Sequence, residues 1–287
     1  MSSGWWLALL AAGWLGLNFA IRRGLRAARI SEGADPGDLP WRQVRIPTAN
    51  DKRLFGWFIP AAEQAPALVV MHGWGGNAEM MLPLAAPLHA AGYTLLLLDA
   101  RCHGRSDSDS FASLPRFAED IEAALVWLAA QREVNAQALG VIGHSVGAGA
   151  ALLAAARCDC IHAVVSLAAF ADPAEMLRRW LAALHIPYWP LGAYILAYVQ
   201  YVIGFRFAAI APRNTIARVS CPVLLVHGLD DQTVPPDEAR QIHAARASDT
   251  VELLLIPGSH DDYGDIGLQV GALQGFLDKS LARPRAP

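Results

Sequence analysis

Residues Ala138 to Gly149 read Ala-Leu-Gly-Val-Ile-Gly-His-Ser-Val-Gly-Ala-Gly. The order is a short apolar strand, a turn in which Gly143 and Gly147 each stand two residues from Ser145, and small residues that open a helix. A side chain at either flanking position would collide with the neighbouring strand or helix, so the glycines suit a strained strand-to-helix turn. Such a turn presents the serine hydroxyl. It also points the backbone N–H of Val146, near the helix N-terminus, at any oxygen that gains negative charge beside Ser145.

The alternation continues on both sides of this stretch. Ala67 to Met71 and Thr94 to Leu98 are apolar throughout, as strands covered on both faces are. Ala78 to Ala91 follows the first of them as a predicted helix. Phe117 to Gln131 is a second, with Ile121, Leu125 and Leu128 at helical spacing and Glu119, Asp120 and Glu122 near its start. After Ser145, the segments Ala163 to Leu167, Val223 to Val226 and Val251 to Ile256 supply three more buried strands, with helices at Pro236 to Ala247 and Ile266 to Leu281. Val44 to Ile46 and Leu54 to Ile59 form an opening hairpin around the polar turn Asn50 to Arg53. The sum is an α/β fold: a mostly parallel eight-stranded sheet with helices on both faces.

Two segments stand outside this rhythm. Gly4 to Ile21 carries no charged side chain and, at about 1.5 Å per residue, comes close to the roughly 30 Å of a bilayer core. Arg22, Arg23, Arg26 and Arg29 follow it and no basic region precedes it, so residues 1–30 are predicted as a single-pass anchor, with an amphipathic surface helix and a cleaved signal peptide as the alternatives. The arginines then put the N-terminus outside and the domain in the cytoplasm. Residues 31–43, with Gly33, Pro36, Gly37 and Pro40, are expected as a linker, and the domain runs over 44–283. The second segment is Asp172 to Arg218, expected as a helical lid insertion. Ile186 to Phe205 inside it lacks charge and is long enough to span a membrane, but one crossing between two strands of one sheet would put them on opposite sides of the bilayer. Tyr194, Tyr198 and Tyr201 share a helix face after Pro187 and Pro190; the segment is expected as a cap packing on its own domain, the alternative being that this apolar face also meets the membrane surface and admits lipid-like substrates.

Composition narrows the partners. The chain has 287 residues, 54% of them hydrophobic, and a formal charge of -3 without a long basic run, which argues against nucleic acid. Cys102, Cys158, Cys160 and Cys221 form no C-x-x-C pair and are expected as reduced thiols. Nothing calls for a metal or cofactor.

A serine nucleophile needs a base and a group that orients the base, both on loops at the C-terminal ends of later strands. Two loops fit: His227-Gly228-Leu229-Asp230-Asp231 and Pro257-Gly258-Ser259-His260-Asp261. The order Ser145, Asp231, His260 is that of a Ser/acid/His triad on a sheet of this type. Asp230 and Asp172 are the alternative acids. His72, His103, His144 and His227 adjoin turns and are expected to bond backbone groups. Cys102 lacks an assigned base and is not expected as a nucleophile.

The chain resembles the α/β-hydrolase fold serine hydrolases of esterase or lipase type over roughly Val44 to Leu281. Four blocks carry the likeness: His72-Gly73-Trp74-Gly75-Gly76, Asp99-Ala100-Arg101-Cys102-His103-Gly104-Arg105-Ser106, Gly143-His144-Ser145-Val146-Gly147, and His227 to Asp231 with its following Val234-Pro235. The resemblance implies oxyanion donors at the backbone N–H groups of Trp74 and Val146. It selects Asp231 as acid, three residues after the Gly of its His-Gly block. Cys102 departs from the family's glycine at that point of the second block, which bears on turn geometry. The expected reaction is cleavage of a carboxylic ester or thioester, apolar or lipid-like, through an acyl-serine. An acyltransferase or peptidase using the same triad, and a non-catalytic anchored scaffold, are the alternatives.

Overall fold

The computed structural model describes residues 4–31, 33–261 and 266–281; residues 1–3 of the expected anchor, residue 32 of the linker and the expected domain end at 282–283 lie outside them. Eight strands, β1 (Arg42–Thr48), β2 (Lys52–Ile59), β3 (Ala65–Met71), β4 (Thr94–Leu98), β5 (Val134–His144), β6 (Ala163–Leu167), β7 (Val223–Gly228) and β8 (Val251–Ile256), form one sheet in the order β1-β2-β4-β3-β5-β6-β7-β8. The hairpin β1–β2 pairs antiparallel with Ile46 opposite Leu54, β2 runs antiparallel to β4, and all later pairs are parallel.

The unbroken apolar runs have their explanation in the two cores. Val69 and Met71 of β3 face one core, with Phe117, Ile121 and Leu125 of α3 (Leu114–Ala129) and Leu152 of α4 (Val146–Ala155). Leu68 and Val70 face the other, with Leu88 of α2 (Ala85–Ala90) and Leu273, Phe276 and Leu277 of the C-terminal helix (Ile266–Leu281). A strand with helices on both sides has no solvent face on which to place polar residues.

Several local expectations change. The helix expected over 78–91 is a 3₁₀ stretch, Ala78–Leu84, followed by the short α2, because Pro83 lacks the N–H a continuous helix needs. α3 begins three residues earlier than expected, with Pro115 in its first turn, where proline is tolerated. β8 is an edge strand: Glu252 is exposed and Leu253 to Leu255 are only half-buried. Cys158 and Cys160 are joined by a disulfide, which corrects the expectation of four thiols; the chain turns after α4 and brings their Cα atoms to 5.2 Å. That lies inside the range a disulfide requires. Cys102 and Cys221 are free and buried.

The insertion between β6 and β7 holds α5 (Pro173–Ala183), α6 (Ala193–Ile203), α7 (Phe207–Ile210) and α8 (Pro212–Thr215). Asp172 caps α5 by accepting from the Ala174 N–H at 2.7 Å. Gly204, at φ +77, ends α6 in the left-handed conformation glycine tolerates. α1 (Gly4–Gly24) contains the one helix among the described residues long and apolar enough to cross a membrane, Trp5–Gly24, with 6% of it buried. Its last turns rest on α6: the Tyr194 hydroxyl donates to Asn18 Oδ1 at 2.8 Å, and Arg22 Nε donates to the Tyr198 hydroxyl at 2.8 Å. Tyr194 and Tyr198 are thus turned to α1, while Tyr201 stays exposed.

The segment after α1 lies along the domain. The Leu25 carbonyl accepts from Ala112 N–H, Arg26 Nε donates to the Ser110 carbonyl, and Arg29 donates to the carbonyls of Gly104 and Ser106. Further on, Gly33 N–H donates to Glu79 at 2.7 Å and Pro36 is buried.

Candidate active site

Ser145 sits between β5 and α4 at φ 54, ψ -115, a strained backbone for a residue with a side chain. The glycines around it have a direct physical cause. A Cβ on Gly143 would lie 2.3 Å from the Gly147 carbonyl oxygen, and one on Gly147 would lie 2.4 Å from the His72 carbonyl oxygen. Both obstacles are backbone, which has little room to yield. Gly147→Ala is therefore expected to cost about 3 kcal/mol of stability, at the upper end for overpacking, measured by chemical denaturation; a change below about 0.5 kcal/mol, the range of ordinary surface substitutions, would contradict the close approach.

The structure brings Ser145, Asp231 and His260 together. His260 Nε2 lies 3.1 Å from Ser145 Oγ, and His260 Nδ1 lies 2.7 Å from Asp231 Oδ2. With the proton on Nδ1, His260 donates to the carboxylate and accepts from the serine hydroxyl; this tautomer satisfies both contacts. Asp231 Oδ1 accepts from the backbone N–H groups of Thr233 (2.9 Å) and Val234 (2.7 Å). Burial pushes the Asp231 carboxyl up, but the hydrogen bonds from His227, His260 and Val234 outweigh it and hold the group far below the usual carboxylate range. Asp230 is exposed, and Asp172 is paired with Arg213 at 2.6 Å within the insertion.

The loop after β3 closes the other side. A Cβ on Gly73 would stand 3.1 Å from the Ser145 Cβ, so this loop passes directly over the serine. Val146 opens α4, so its N–H has no carbonyl a turn earlier to bond. The Trp74 N–H has no hydrogen-bond partner among the described residues.

All four neighbouring histidines bond a backbone carbonyl: His72 that of Gly73, His103 that of Arg101, His227 that of Val234, and His144 that of His260, at 2.9 Å. The last contact joins the Ser145 turn to the loop of His260, and the two rings lie 5.0 Å apart. No spacing announces it, because the partners are 116 residues apart in sequence. His144, His260 and Asp261 bring possible ligand atoms within 4.8 Å of one another. Both ring nitrogens of His260 are taken by Asp231 and Ser145, and Nε2 of His144 by the His260 carbonyl, so the cluster does not offer a free metal cage.

Cys102, where the resemblance places glycine, has φ +68, so the departure sets a side chain in the left-handed region. Its thiol is held in the turn by Asp109 N–H, which donates to Sγ at 3.1 Å. Beneath this turn, buried Arg101 pairs with Asp120 at 2.7 Å and Glu119 at 2.5 Å, a network that no sequence motif signals.

The buried imidazoles set a pH dependence of stability. Burial lowers His72 to about 4, and burial with the neighbouring His72 lowers His103 to about 4. Unfolded histidines bind protons near pH 6.5 while these stay neutral, so stability falls as pH drops from about 6.5 to 4. Asp120, which burial pushes up to about 6, acts with the opposite sign, one carboxyl against two imidazoles. A lower melting temperature at pH 5 than at pH 7 is expected, with a shallower dependence in His103→Asn.

The chain matches the family model of the serine aminopeptidases S33 over residues 62–195. It is similar to the uncharacterized protein Rv2307c of Mycobacterium tuberculosis, 31% identical over 245 residues that cover 83% of this chain and 80% of the relative. Among solved structures it resembles the Pyrococcus furiosus esterase Pf2001, with a TM-score of 0.72 at 20% identity over 90% of this chain and 98% of that one. It also resembles Est1E from Butyrivibrio proteoclasticus with bound ferulic acid, with a TM-score of 0.66 at 22% identity over 84% and 100%. The sheet order, the Ser145 turn and these likenesses agree, and the chain belongs to the α/β-hydrolase family.

Proposed function

We propose that the protein is a serine hydrolase that cleaves a carboxylic ester or thioester through an acyl-Ser145 intermediate. The observation that carries this reading is the unbroken hydrogen-bonded line from Ser145 Oγ through His260 to Asp231. His260 takes the serine proton as Oγ attacks the carbonyl carbon, and Asp231 holds the ring and stabilises the imidazolium. The N–H groups of Trp74 and Val146 receive the oxyanion, each worth roughly 3 kcal/mol in such sites. His260 then gives the proton to the departing alcohol or thiol, and water, deprotonated by the same imidazole, releases the acid. The likeness to the Pyrococcus furiosus esterase supports the ester class.

Ser145 is only 7% exposed, and in this reading the insertion 172–218 is a lid that admits an apolar substrate to it. A fluorophosphonate should label the protein at Ser145; a wild-type protein that stays unlabelled while folded would sink the proposal.

α1 serves as the anchor. The arginines after it favour a cytoplasmic domain, whereas the Cys158–Cys160 disulfide belongs to an oxidising compartment. A C-terminal reporter fusion separates the two. Cytoplasmic reporter activity is expected, and activity on the far side would reverse the topology.

A further inference from the structure

Where α1 ends, it forms a groove with α6 and the loop before α3. The cavity measures about 320 Å³ and is lined by Arg22, Arg26, Ser110, Phe111, Tyr201 and Val202. We infer that this groove binds the phosphate headgroup of an anionic phospholipid from the leaflet around α1, with Arg22 and Arg26 flanking the phosphate. The inference rests on the reading of α1 as a membrane anchor.

The charges come first. Arg22 stands in the last turn of α1 and Arg26 just beyond its end, and both line the groove. Each is held through Nε by a neutral group, the Tyr198 hydroxyl for Arg22 and the Ser110 carbonyl for Arg26. Neither is paired with a carboxylate among the described residues, and the lining contains no acidic side chain. Both guanidinium charges are thus uncompensated and their terminal nitrogens remain for a ligand. A planar guanidinium suits phosphate oxygens well, because its parallel N–H groups bond two of them together.

Depth comes second. Asn18 meets Tyr194 and Arg22 meets Tyr198, so α6 runs parallel to the last turns of α1, and the groove lies one turn further, at Arg26 and Tyr201. The uncharged run Gly4 to Ile21 spans about 27 Å as a helix, close to the thickness of the hydrocarbon layer, so Arg22 stands at its edge. Its end and the groove therefore stand at the headgroup level, where juxtamembrane arginines meet anionic lipid. The remaining lining divides suitably: the Tyr201 hydroxyl can bond a headgroup oxygen, while Phe111 and Val202 offer apolar surface toward the start of the acyl chains. The volume, at the low end for ligand sites, suits a headgroup and not a whole lipid.

The test uses the full chain in a neutral detergent, titrated with dioctanoyl phosphatidylglycerol, dioctanoyl phosphatidylcholine and inorganic phosphate. Phosphatidylglycerol should bind at least tenfold more tightly than the other two. Arg22→Gln and Arg26→Gln, singly and together, should weaken it, the pair by tenfold or more, while p-nitrophenyl butyrate hydrolysis in detergent stays within about twofold. Arg23→Gln, outside the groove, should leave lipid binding unchanged. Equal loss from Arg23→Gln would mean diffuse attraction to a basic segment and would overturn the site. So would undiminished binding in the double variant, absent binding in the wild type, or inorganic phosphate binding as tightly as the lipid. Carbonate extraction of the full chain from membranes tests the anchor separately.

Discussion

Ser145→Ala is expected to lower ester turnover by on the order of 10⁶ while the fold persists, the loss typical when the nucleophile of such a triad is removed. The substitution removes one oxygen from a turn whose geometry is fixed by the backbone. Gly143 and Gly147 hold the close approaches, and the Ser145 N–H bonds the Leu167 carbonyl at 2.8 Å. Nothing in that set involves Oγ, so the melting temperature should move little. Initial rates on p-nitrophenyl esters of increasing acyl length, measured with denaturation midpoints, check both halves. Retained turnover would remove Ser145 from the chemistry, and a lost fold would make the rate uninformative, in which case Ser145→Cys, with its retained nucleophile, decides by its covalent labelling.

Asp231→Asn is expected to cost about 10⁴ in kcat, by analogy with the same change in other triads. The surroundings give the reason. Thr233 and Val234 direct their N–H groups at Oδ1, so in the variant the amide oxygen takes that position, where acceptors are required. The NH₂ group then occupies the Oδ2 position against His260 Nδ1 and donates to it. His260 must carry its proton on Nε2 and can no longer accept from Ser145. Asp230→Asn, on an exposed side chain, should stay within about twofold. Steady-state rates of the two variants, taken in parallel, separate the adjacent carboxyls; an equal loss in both would remove Asp231 from its assigned role.

Much of the fold was legible because it rests on local chemistry. The apolar runs at Ala67 to Met71 and Thr94 to Leu98 have only one comfortable environment, a sheet covered on both faces. The spacing Gly143, Ser145, Gly147 reports backbone collisions that the structure measures directly. The loops of Asp231 and His260 follow from strand order. Long-range matters were not legible. Asn18 and Tyr194 are separated by 176 residues, and neither side chain declares the other as partner. The Cys158–Cys160 link depends on how the chain turns after α4. Pro83 stands inside the helix expected over 78–91, and its missing N–H is the reason the chain there makes a 3₁₀ turn followed by a short helix.

The run from Leu25 to Gly33 is hydrogen-bonded to the domain at Ser110, Gly104, Ser106 and Glu79. An enzyme on a loose leash sweeps every orientation and meets the bulk as often as its membrane. If α1 lies in a membrane as proposed, one strapped down on both sides of Arg29 has a heading, like a compass needle fixed to its case, and Ser145 keeps a constant bearing to the plane that holds α1. Encounter would then become a search in two dimensions, and lengthening the strap would change which molecules arrive without altering a single atom at Ser145.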